Sequence, residues 1–170
     1  MFILNNLQRE KIKRYQIKEG QTRRVIIKEK IVIKECLDEF KDENIKEYNA
    51  YTLYKDEKIQ IVNKILRFED NIIEAEKCIT IKEFLESLKN TIENIDKVFI
   101  DNIIKDIDNI LLDMDDIFLN IAPEFGKMIS YKKKKTYIIE HTSLDPLEIL
   151  LPDNWGITKE GELVLIDYSR

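Results

Sequence analysis

Apolar and polar positions follow different rhythms in the two halves of this chain. Near the N-terminus, residues 22–28 (TRRVIIK) and 31–36 (IVIKEC) are rich in β-branched side chains and read as strands. An earlier strand is expected around residues 12–17, with Glu19, Gly20 and Gln21 as the turn that follows it. After a polar stretch, residues 42–54 (DENIKEYNAYTLY) predict a helix, with Asp42 placed to cap its first turn. Strand character returns at 59–68 and 72–78, on either side of Glu69, Asp70 and Asn71.

From residue 80 the period lengthens. Thr80 and Glu83 have capping-box spacing and open a short helix reaching about Leu88. Ile100, Ile103, Ile107, Ile110, Met114, Ile117 and Ile121 recur at steps of three and four. That spacing predicts one long amphipathic helix over 95–121, ended by Pro123. A strand is expected at 136–140, then a loop with two prolines, then a hairpin. The hairpin arms are 155–158 and 162–168, closed by Lys159, Glu160 and Gly161. Strands and helices are segregated rather than alternating, which favours an α+β domain over a doubly wound parallel sheet. The expected organisation is a single domain over 1–170, with a sheet-rich part at 1–78 and a helical part with the terminal hairpin at 79–170.

Composition narrows the class. Of 170 residues, 44% are apolar and 36% charged, and only 4 Gly and 3 Pro interrupt them, so linker-like and low-complexity readings fall away. A net charge of −5 does not favour nucleic acid, whose phosphates call for clustered excess Lys and Arg. Cys36 and Cys78 are too few for a disulfide framework or a zinc site, and His141 is the sole histidine, which excludes a multi-His metal centre. No apolar run approaches the length of a membrane span, and the opening residues do not read as a signal peptide. The cytoplasm of a bacterium or of a phage-infected cell is therefore expected. The Ile-, Lys-, Glu- and Asn-rich text is also that of low-GC genomes and their mobile elements.

Candidate chemistry concentrates in LLPDNWGITKEGELVLIDYS, residues 150–169. Asn154 at the mouth of the hairpin and Asp167 at the end of its second arm lie 13 positions apart, and a hairpin brings such ends side by side. An amide oxygen and a carboxylate so placed could share one hard, oxygen-loving cation. The plainer alternative is an Asn capping a turn and a solvated Asp. This segment resembles the metal-binding end of protein kinases and the small-molecule phosphotransferases related to them. In that family an Asn and the Asp of a D-[FY]-G motif hold Mg²⁺ against nucleotide phosphates.

The resemblance implies more upstream. Lys34 looks like the strand lysine that contacts the nucleotide phosphates, and Glu47 like its ion-pair partner on the following helix; read without the resemblance, the two are a surface pair. Residues 76–79 would be the hinge. The departures are as informative. The family's catalytic Asp sits five positions before the Asn, and Ile149 stands there. Isoleucine cannot accept a proton. Ser169 replaces the motif glycine, Gly20 stands without a glycine-rich loop, and Asp167-Tyr168 leads into no activation segment, so protein-kinase activity is not expected.

Other candidates have bland readings. Lys132 to Lys135 read as a solvated turn at a strand entry, Asp113, Asp115 and Asp116 as the wet face of the long helix, and Tyr51 and Tyr54 as helix packing. The function expected is a catalytically inactive, kinase-like interaction module, a pseudokinase of phage or mobile-element type whose partner is a host protein. ATP with Mg²⁺ would bind it weakly or not at all, through Lys34, Glu47, Asn154 and Asp167. Two alternatives stay open: a small ATP-dependent phosphotransferase using Glu148 or Asp145 as a displaced carboxylate, and an unrelated inhibitor or antidefence protein.

Overall fold

The β-branched runs of the first half fold into a five-stranded antiparallel sheet. Its strands are β1 (Gln16–Glu19), β2 (Arg23–Ile27), β3 (Ile31–Cys36), β4 (Ile65–Glu69) and β5 (Ile72–Glu76), in the order β1-β2-β3-β5-β4. The computed structural model describes residues 16–107, 114–121 and 127–168, so most of the strand expected at 12–17 lies outside the described residues. Asp70 and Asn71 close the β4–β5 hairpin with φ of 50° and 61°. Two consecutive left-handed residues make the two-residue turn whose twist suits a hairpin, and Asp and Asn tolerate that conformation best after Gly. Helix α1 (Asp42–Tyr54) lies against the sheet, where Tyr48, Tyr51 and Phe68 cover Ile65, Ile73 and Ala75.

The strand expected at 59–68 is shorter than its apolar text suggests. Residues 61–63 leave the sheet and run parallel to the C-terminal hairpin instead. Val62 bridges Leu165, the Leu165 amide donates to Ile61 O at 2.9 Å, and the Asn63 amide donates to Leu165 O at 2.8 Å. Ile61 and Val62 are buried there, so the hairpin edge takes the apolar residues that the sheet does not use.

The second half is helical: α2 (Ile81–Thr91), α3 (Lys97–Ile107), α4 (Met114–Ile121), α5 (Lys127–His141) and α6 (Pro146–Leu150). Thr80 caps α2 with both arms of a capping box, as its spacing predicts. The helix expected over 95–121 is present as α3 and α4; residues 108–113, Ile110 and Asp113 among them, lie outside the described residues, as does Pro123. Ile100, Ile103, Ile107, Met114 and Ile117 are all buried.

Residues 136–140 are not a strand. They belong to α5, whose buried positions Tyr131, Lys134 and Ile138 recur at helical steps. Packing on this face overrides the strand preference of Thr136, Tyr137, Ile138 and Ile139. Nor are the four lysines a solvated turn. Lys134 is only 3% exposed and donates to Leu163 O at 2.5 Å and Glu162 Oε2 at 3.1 Å.

The hairpin β7 (Trp155–Ile157) and β8 (Leu163–Leu165) closes the chain, with the short β6 (Ile79–Thr80) on the outer side of β7. Gly156 is required at that contact. A Cβ there would stand 2.7 Å from both Cys78 Cβ and Ile166 Cγ2. Beneath the hairpin, Trp155 and Tyr131 meet edge to face at 5.2 Å in the main core. No described helix is long and apolar enough to cross a membrane.

Candidate active-site cleft

The β2–β3 pairing sets Val25 opposite Lys34 and Arg23 opposite Cys36, so Arg23 and Lys34 share one face of the sheet. Helix α1 crosses that face and aims Asn44 and Glu47, three residues apart, at the two cations. Lys34 Nζ donates to Glu47 Oε1 at 2.6 Å. Glu47 Oε2 accepts from Arg23 Nη1. Glu47 is 2% exposed and Lys34 and Arg23 are buried too, so Lys34 and Glu47 do not form a surface pair. Buried charges survive only when paired and hydrogen-bonded, and each of these three is.

Asn44 completes the cluster. Its amide nitrogen donates at 2.8 Å to both Lys34 O and Asn71 O, and its oxygen accepts from Arg23 Nη1 at 3.2 Å. One fully buried side chain thus ties α1 to β3 and to the β4–β5 turn.

The C-terminal hairpin reaches the same cluster from below. Lys34 Nζ donates to Ile166 O at 2.5 Å, and Arg23 Nη2 donates to Asp167 Oδ1. Two cations are therefore paired with two carboxylates in one cluster. Burial alone would lower the Arg23 pKa; Glu47 and Asp167 outweigh it and raise the guanidinium above its usual range. Tyr168 fixes the residue beside Asp167. It is buried, its hydroxyl donates to Asn63 O at 3.3 Å, and burial holds its pKa well above the usual phenol range. Asn63 in turn donates to Glu76 O at 2.7 Å and accepts from Cys78 Sγ at 3.3 Å, joining the connecting segment to residues 76–78.

Asn154 is one backbone pairing away from Asp167. Its carbonyl accepts from the Ile166 amide at 2.7 Å. Its side chain turns elsewhere, the amide nitrogen donating to Glu148 O at 3.2 Å and to Glu148 Oε2. Ile149 lies inside the core at 1% exposure, and its carbonyl accepts from Trp155 Nε1 at 2.9 Å and from the Tyr131 hydroxyl at 3.2 Å. Asp145 caps α6, its carboxylate accepting from the Leu147 amide at 2.9 Å.

The structure thus gathers Lys34, Glu47 and Asp167 in one cluster, with the Asn154 backbone beside it and the Asn154 side chain turned to Glu148. Sequence reasoning missed Arg23 and Asn44. Asn44 was open to discovery, since it precedes Glu47 by one helical turn. Arg23 was not, because only the strand register shows that it shares a face with Lys34.

No family model matches the chain, and no curated protein matches its sequence. Among solved structures, the streptomycin–ATP–APH(2")-IIa ternary complex is similar at 14% identity and a TM-score of 0.41, over 99% of this chain and 73% of that one.

Proposed function

We propose that this chain is a kinase-like interaction module that does not transfer phosphate. The reading is supported by a strand lysine and a helix glutamate, Lys34 and Glu47, paired over a hairpin that ends in Asp167. The observation that carries the inactive part is Ile149. At the position where the kinase-like pattern calls for a general base, an apolar side chain is packed in the core and its carbonyl is held by Trp155 and Tyr131. The partner in this reading is another protein, because a net charge of −5 does not suit a phosphate backbone. The low-GC texture of the sequence suits a phage or mobile-element protein directed at a host factor.

A second reading has its own observation. The Glu148 carboxylate stands beside the hairpin mouth, in contact with the Asn154 amide, and is the one acidic group of α6 not used as its cap. Positioning and electrostatics carry much of phosphoryl transfer, so a displaced carboxylate would sustain slow turnover. An assay of phosphate transfer from ATP, to the protein itself and to generic acceptors, separates the two. The proposal expects no turnover in the wild type. Turnover that Glu148→Gln removes establishes the second reading instead.

A further inference from the structure

The kinase-like pattern calls for a divalent metal held by Asn154 and Asp167, and the side chains here do not fit one. Asp167 accepts the Arg23 guanidinium, and Asn154 directs its amide nitrogen to Glu148. Among the described residues, no group of three or more His, Cys, Asp or Glu could hold a metal ion. A guanidinium is a permanent, planar, two-pronged cation that bonds two carboxylates at once. We propose that Arg23 is the resident cation of this cleft: it takes the role of the metal, neutralising Asp167 and Glu47 and tying the sheet to the C-terminal hairpin without any bound ion.

Three features carry this. Arg23 and Glu47 are both buried, so that pair is poorly screened, while the Asp167 carboxylate stands half-exposed at the edge of the cluster. Its two terminal nitrogens serve different elements, Nη1 reaching Glu47 and Asn44 on α1 and Nη2 reaching Asp167 on the hairpin. Lys34 adds a second cation on Glu47 and on Ile166 O, so the cluster is already balanced. A divalent ion at Asp167 would have to compete with Arg23 for the carboxylate and sit beside two positive charges, Arg23 and Lys34. Repulsion between like charges within a few ångströms disfavours the ion.

The proposal rests on the kinase-like reading for where a metal would belong. Its test uses Mn²⁺ alone as the probe, with binding read from the loss of the free-ion spin-resonance signal and from the unfolding midpoint. The wild type should show no saturable Mn²⁺ binding. Arg23→Gln, which keeps a polar side chain but removes the charge, should gain Mn²⁺ binding and a metal-dependent rise in midpoint. Arg23→Gln/Asp167→Asn should lose both. If Arg23→Gln does not fold, Arg23→Lys serves, since one ammonium cannot bridge both carboxylates; a smaller gain is expected. Mn²⁺ binding to the wild type through Asp167, or no gain in a folded Arg23 variant, overturns the proposal. Phosphate transfer by the wild type would end the inactive reading but not this one, so the two failures are distinguishable.

Discussion

A buried polar end and a buried apolar end of the candidate site are built from opposite materials. At one end, Arg23, Lys34, Asn44 and Glu47 are buried polar groups, and every charge among them is paired. At the other, Ile149, Tyr131 and Trp155 are buried apolar groups whose polar atoms are satisfied by a backbone carbonyl. Here the polar end keeps its charges and neutralises them internally, while the apolar end is part of the main core. The difference teaches that charge is kept in this interior by pairing and apolar surface by packing, so each end fails for a different physical reason when altered.

The largest expected effect breaks the polar end. Glu47→Ala leaves Lys34 and Arg23 buried without their shared partner, and removal of one member of a buried ionic set costs about 3–5 kcal/mol. Denaturant unfolding measures it. A loss below about 1 kcal/mol would show that the cluster is solvated and that the contrast between the ends is false.

The apolar end should break almost as severely. Ile149→Ala should cost about 2–5 kcal/mol by leaving a cavity under Trp155. Ile149→Asp should cost at least as much, because it buries a carboxylate without a donor aimed at it. A carboxylate placed there therefore tests packing first. A well-folded Ile149→Asp protein would mean that this position opens to the cleft.

Alkaline titration sharpens the contrast by a different route. Tyr168 has a folded-state pKa above its ordinary 10.0, mainly through burial. A group so raised contributes stability that is full below pH 10 and lost as pH climbs through the folded value. Cys78 follows the same sign, pushed from 9.0 up to about 12 by burial. Stability should therefore decline above about pH 9–10, and Tyr168→Phe should flatten the upper part of that decline. At neutral pH a thiol reagent should modify half-exposed Cys36 and spare Cys78 until the protein unfolds.

The smallest effect belongs to Asp167. Its side chain is 48% exposed, so its pair with Arg23 is largely screened by solvent. Asp167→Asn should cost about 1 kcal/mol or less. That small cost makes it the cleanest variant for ligand tests.

How much of this was readable beforehand depends on whether a feature is local. The terminal hairpin, the capping box at Thr80 and the buried stripe Ile100, Ile103 and Ile107 follow from spacing alone, and the structure has them. Helix α5 escapes a local reading because Thr136 to Ile139 are strand-formers, and the helix that carries them packs on the hairpin, with Lys134 donating to Leu163 O. The departure of residues 61–63 from the sheet is likewise decided by Leu165, about a hundred positions away. Arg23 is the extreme case. Its partners Glu47 and Asp167 are 24 and 144 residues distant, and no periodicity records such a meeting.

Arg23, Lys34, Glu47 and Asp167 pair with one another, so on the proposal above the cluster gains nothing from a metal. The most direct test is the unfolding midpoint of the wild type in millimolar ATP with Mg²⁺, compared with ATP and a chelator. A ligand that binds the native state raises the midpoint by mass action. The account predicts the same midpoint in both. A Mg²⁺-dependent rise that Asp167→Asn abolishes would contradict it.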